Sequence, residues 1–153
     1  MKTMDLMLRR HPRGDFQHTA DYVDALDALD GCAAACTACA DACLGETEAV
    51  QNLRRCISTT LDCADVCSAT ARVLTRQTET PNGLVHAQLH ACVVACQLCA
   101  EECERHADAH EHCQICAEAC RHCQERCNFI LGEISSSGLA DSTNPDESPA
   151  MSP

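Results

Sequence analysis

The sequence predicts an all-α protein, an antiparallel up-down-up-down four-helix bundle with a cysteine-lined core. Three observations carry this reading. All sixteen cysteines fall in four groups in which every gap is 3, 4 or 7 residues. The groups are Cys32, Cys36, Cys39 and Cys43; Cys56, Cys63 and Cys67; Cys92, Cys96, Cys99 and Cys103; and Cys113, Cys116, Cys120, Cys123 and Cys127. Such spacing puts each group on one face of one helix, at positions that leucine or valine would normally fill. Turn residues follow three of the groups, at Gly45, Pro81-Asn82-Gly83 and Gly132. The links are short, which makes successive helices run antiparallel.

Residues 1–15 read as a polar N-terminal arm. Met4, Leu6, Met7 and Leu8 can form one helical turn, which His11-Pro12 and Gly14 end. The arm reads as loosely docked, against the alternative of a lid in which Met4 or Met7 binds metal. Residues 16–132 form the helical domain and 133–153 a disordered tail rich in Ser, Pro, Asp and Gly. The first helix runs from about Phe16, with Asp15 as N-cap, to Leu44, with Gly45 just past its end. Its inner face continues backwards from Cys32 as Leu29, Ala25 or Leu26, Tyr22 and His18. The second runs from near Thr47 to before Pro81, and Thr60 takes the slot of a fourth cysteine. The third spans about Leu84 to His106 and begins its inner face at Val85 and Leu89. The fourth opens on a capping box, Asp108 to Glu111, and stops at Gly132 after Ile130.

This order gives the bundle two unlike ends. Tyr22, Leu29, Leu74, Val85, Leu89 and Ile130 plug one end. Cys43, Leu53, Cys103, His106, His110 and Cys113 surround the other, which reads as the mouth. Ile57, Leu61, Val66, Val93, Val94, Leu98 and Ile115 are apolar but lie outside the cysteine stripe. Some close the seams between helices, and the surplus suits an inter-subunit face.

The chain's 153 residues suit one domain. A formal net charge of −12 argues against nucleic acid and anionic membranes as partners. Residues 1–14 lack the apolar region of a secretory leader, and no stretch approaches the ~20 apolar residues of a membrane span. Turn residues are scarce between the cysteines, and i,i+4 thiols on a straight helix begin too far apart for a disulfide. Free thiols in a reducing cytoplasm fit better. With two Phe, one Tyr and no Trp, the core is thin in conventional filling, and a ligand is the natural supplement.

Thiols alone would pack such a core poorly. Zinc would leave about −2 on each four-thiolate site, a heavy charge inside a narrow bundle. Cu(I) is soft, singly charged and satisfied by two or three sulfurs, so about one ion per thiolate leaves the core near neutral. A near-linear S–Cu–S unit would span ~4.6 Å. The ligands on this reading are all sixteen cysteines. Two alternatives stand beside copper storage: an iron–sulfur electron carrier, and a metal-free structural or redox thiol bundle. Iron–sulfur spacing normally sits on loops followed by Pro, and thioredoxin-like Cys-x-x-Cys needs a neighbouring strand. Neither context is present around Cys36/Cys39, Cys96/Cys99, Cys113/Cys116 or Cys120/Cys123. No catalytic residue is expected.

Among the eight histidines, His106 and His110 sit four apart where the thiol face meets the mouth. They are candidate metal ligands at the entrance, with an exposed surface role as the alternative. His86, His90, His112 and His122 fall off the inner face and read as solvent-side, and His18 as structural. Asp62 and Asp65 read as surface acids.

The four-helix region, about residues 16–132, resembles the cytosolic branch of the cysteine-rich copper storage protein family. The resemblance rests on Cys-x₃-Cys-x₂-Cys-x₃-Cys at Cys32–Cys43 and at Cys92–Cys103, and on the five-cysteine fourth helix. It implies a four-helix bundle filled with many Cu(I) ions, assembly into a homotetramer, and histidines at the copper entrance, here His106 and His110. The exported branch carries a targeting peptide and methionines at the mouth. This chain shows neither, so a cytoplasmic location is expected. The second helix, with three cysteines and Thr60, is the least typical part. Copper itself, other copies of the chain, and a copper chaperone or low-molecular-weight thiol are the expected partners.

Overall fold

Helix α1 covers Lys2–Arg9, α2 Thr19–Gly45, α3 Arg54–Thr75, α4 Asn82–Glu104 and α5 Glu111–Ser136. The computed structural model describes residues 2–13 and 18–136. The protein is all-α, with five helices where four are expected and no strand among the described residues. The added one is α1, two turns long rather than one. Asp5 and Arg9 pair across one of its turns at 2.6 Å, and Leu8 is buried against the core. The arm continues along the α3–α4 link, where Arg13 donates to the Thr78 carbonyl and His11 meets the Thr78 hydroxyl at 3.2 Å. It is docked at the plugged end, away from the thiols.

The other boundaries shift for identifiable reasons. Asp15 and Phe16, the expected start of α2, lie outside the described residues. Gly45 is the last residue of α2 rather than the residue beyond it, and Glu46 closes the helix with its N–H on the Cys43 carbonyl. Residues 47–53 form turns, so α3 begins at Arg54 with Leu53 before it. Gly132 does not stop α5. Ile134 continues the buried face for another turn, and the Ser135 and Ser136 hydroxyls bond back to the Leu131 and Gly132 carbonyls. The expected tail is thus helical through residue 136, and the rest lies outside the described residues.

α2 packs along α3 and α5, and α4 packs along the same two helices. Contacts between sulfurs fix the directions. Cys43 near the end of α2 meets Cys56 near the start of α3, and Cys67 late in α3 meets Cys92 early in α4. Buried alanines beside the stripes, among them Ala25, Ala64, Ala100 and Ala117, let the helix axes approach. The plug contains Leu26, Leu29, Leu74, Leu89 and Ile130, each almost fully buried, while Tyr22 is only half-buried. Beyond the plug the core is sulfur. Contrary to the sequence reading, α2 and α4 are long and apolar enough to cross a membrane by length and composition alone. Their cysteines are nevertheless buried against the neighbouring helices.

Candidate metal centre

Every one of the sixteen cysteines is buried and unbridged. Helical periodicity brings them inward, and the four long helices set them against one another. At the mouth, Cys56 Sγ lies 4.0 Å from Cys43, 3.7 Å from Cys103 and 4.0 Å from Cys113, which in turn is 3.9 Å from Cys39. Deeper, Cys36 lies 3.8 Å from Cys99, 3.7 Å from Cys116 and 3.6 Å from Cys120. Cys120 reaches Cys32 at 3.6 Å and Cys63 at 4.0 Å. Cys67 then contacts Cys96, Cys92 and Cys123 at 3.6, 3.7 and 4.0 Å, and Cys127 contacts Cys92 at 3.8 Å. Between Cys56 of the mouth group and Cys63 of the deeper group, α3 carries Thr60. Thr60 is fully buried, and its hydroxyl donates to the Cys56 and Ile57 carbonyls instead of facing the sulfurs as a ligand would.

The sulfurs form overlapping four-membered sets, with all ligand atoms of a set within 4.8 Å of one another. Cys32, Cys63, Cys67 and Cys96 make one; Cys32, Cys36, Cys63 and Cys120 another; Cys36, Cys99, Cys116 and Cys120 a third; Cys67, Cys92, Cys96 and Cys123 a fourth. Cys32, Cys36, Cys63, Cys67, Cys96 and Cys120 each serve at least two sets. A shared sulfur is a bridging ligand, so the arrangement suits linked metal ions rather than isolated tetrahedra. The 3.6–4.0 Å separations are shorter than a linear S–Cu–S span. They match a trigonal site, whose edge is ~4.0 Å for ~2.3 Å metal–sulfur bonds. Three-coordinate binding therefore needs less movement than the linear unit expected from the sequence.

Protonation varies along the row. Cys43 is pushed up to about 11 by burial and by negative charge at Cys56. Burial, with the Cys56 and Cys43 charges, also raises Cys113. Cys56 is drawn down to about 3 by sulfur hydrogen bonds, foremost that from Cys103. A neighbouring S–H group that donates to a sulfur favours its thiolate form. A soft cation replaces those protons and removes the charge cost.

The histidines depart from expectation. His106 and His110 do stand at the mouth, but their resolved partners are carboxylates. His106 Nε2 lies 3.4 Å from Glu102 Oε1, and His110 Nδ1 lies 3.1 Å from Glu46 Oε1. His112, expected on the solvent side, instead points Nδ1 at the thiols, 3.5 Å from Cys39 and Cys113 and 4.0 Å from Cys43. With those three cysteines it forms a mixed S₃N set. The physical reason is position: His112 is the second residue of α5, and helical side chains lean toward the N-terminus, here over the end of the thiol row. That lean, applied to a histidine beside Cys113, was the available signal. Buried Glu102 was also missed; Arg55 at 3.2 Å and Arg105 at 3.6 Å compensate it. His18 is on the surface, between Asp21 and Glu133, rather than inside. His86, His90 and His122 are exposed, as are Asp62 and Asp65.

A comparison with curated protein sequences finds no match. Among solved structures, the copper storage protein Ccsp from Streptomyces lividans loaded with 10 copper equivalents superposes with a TM-score of 0.81. It is 45% identical, over 84% of this chain and 98% of that one. A second structure, of the cytosolic copper storage protein from Streptomyces lividans with five coppers, gives a TM-score of 0.72. There the identity is 49%, over 74% of this chain and 93% of that one. The profile of the copper storage protein family matches residues 18–132, and the chain belongs to that family.

Proposed function

We propose that the protein is a cytoplasmic copper store that holds many Cu(I) ions on the sixteen cysteine thiolates inside an antiparallel up-down-up-down four-helix bundle. The observation that carries it is the sharing of sulfurs between adjacent four-thiol sets, which allows one ion to be linked to the next along the core. The bundle domain takes residues 16–136, with α5 continuing past Gly132, and the arm residues 1–15. Binding is stoichiometric, with no turnover. Each ion displaces thiol protons, so loading releases acid. His106 and His110 serve at the entrance, and His112 hands ions to Cys39, Cys43 and Cys113. Copper reaches and leaves this end by exchange with a chaperone or a small thiol.

Exposed Val94 and Leu98 border a groove of about 340 Å³ between α3 and α4. This apolar face supports assembly of the chain with its own copies, as a homotetramer.

Anaerobic titration of the reduced protein with Cu(I) tests the function. Saturation near one ion per thiolate, with the thiols becoming resistant to alkylation, is expected. Saturation at one or two equivalents, or thiols of unchanged reactivity, would overturn it. The loaded protein should be colourless; a brown product on iron reconstitution, with no copper uptake, would favour an electron carrier instead.

A further inference from the structure

Glu46 stands at the mouth between two histidines whose neighbouring rings lie 5.4 Å apart, centroid to centroid. One oxygen, Oε1, is 3.1 Å from His110 Nδ1 and 3.5 Å from His112 Nε2. A carboxylate only accepts, so each ring nitrogen facing it must carry the hydrogen. The two rings therefore take opposite tautomers. His110 keeps its lone pair on Nε2. His112 keeps its lone pair on Nδ1, the nitrogen 3.5 Å from Cys39 and Cys113. His112 Nε2 is buried and makes no hydrogen bond at its present 3.5 Å, so Glu46 is the acceptor on which it can close.

We propose that Glu46 is a positioning residue for copper uptake: it selects the tautomers that make His112 a ligand facing the thiol row and leave Nε2 of His110 free to accept the incoming ion. This rests on the copper-storage reading. Without Glu46, His112 can place its hydrogen on Nδ1 and donate to a cysteine sulfur, which removes the lone pair needed for metal. A histidine that binds metal through one nitrogen is commonly fixed through the other by such a carboxylate. Glu46 caps the end of α2, and His110 and His112 flank the first residue of α5, so the contact also joins the two elements at the mouth.

Long-range proton–nitrogen correlation spectra of the metal-free protein read the tautomers, and stopped-flow Cu(I) uptake reads the consequence. Wild type should show hydrogen on Nε2 of His112. E46A should move it to Nδ1, or to a mixture, and slow uptake about tenfold. Its final capacity should fall by no more than about one ion, because the S₃N set holds only one. E46Q keeps an acceptor oxygen and should restore most of both readouts, which loss of mouth structure alone would not explain. Unchanged tautomers and rate in E46A would overturn the proposal, as would slow uptake in E46A with the wild-type tautomer. Failure of wild type to bind copper would sink the functional reading, while the metal-free spectra would still decide the role of Glu46.

Discussion

The plug and the thiol row occupy the same four helices, yet they are built for different work. Leu26, Leu29, Leu74, Leu89 and Ile130 fill the plug, and each buried side chain of this kind contributes about 1.5–3 kcal/mol. The cysteines beyond them are as deeply buried, but each brings a shorter side chain and an ionisable group. Folding in the absence of metal is concentrated in the plug and in docked Leu8. The thiol row gives up packing energy for binding capacity, and metal returns the stability.

Loading with Cu(I) should have the largest effect on this contrast. A single site at 1,000 times its dissociation constant adds ~4 kcal/mol. The midpoint of thermal unfolding should therefore rise by at least roughly 10 °C. A change of only a degree or two would mean that the thiol half is already as well packed as the plug. Next come paired truncations. Leu29→Ala should cost the metal-free protein about 2–5 kcal/mol in urea unfolding and leave copper capacity intact. Cys36→Ala should cost about 1 kcal/mol and lower capacity by at least one ion, because Cys36 belongs to two four-thiol sets. The reverse pattern would break the division.

Kinetic and local tests sharpen it further. His106 and His110 replaced together by Ala should slow uptake or removal of copper while capacity stays nearly unchanged; a large capacity loss would put the entrance at the wrong end. Thr60→Cys should add about one bound ion, with little change in metal-free stability, since it completes the α3 stripe at a buried position. Equal capacity in titration would show that the mouth group and the deeper group need no sulfur between them.

The arrangement of the thiols was legible because period and chemistry agree: a cysteine gap of 3 or 4 leaves only one face for the stripe. The plug was legible for the same reason. Boundaries were not, because tertiary packing overruled local signals. Gly132 is an ordinary stop signal, but the buried Ile134 beyond it keeps α5 going. α1 was undersized in the sequence reading since only Leu8 of it is buried, and the arm after it docks through His11 and Arg13 on Thr78, 65 or more positions away. At the mouth, spacing placed His106 and His110 at the end of the thiol row, where their partners are Glu102 and Glu46, and missed His112. Ring reach at a helix terminus depends on side-chain direction, which periodicity does not encode. Glu46 and Glu102 were invisible for the same reason, as His110 and Arg55, which they meet, are distant in sequence.

Element-specific X-ray scattering at the copper edge, from crystals of fully loaded protein, locates the ions directly. The expected map shows a chain of copper sites running between the helices from His112 at the mouth to Cys92 and Cys127 beside the plug, with sulfurs shared between neighbouring ions. Copper confined to the mouth, with Cys67, Cys92, Cys123 and Cys127 still free or paired as disulfides, would contradict a continuous thiolate store.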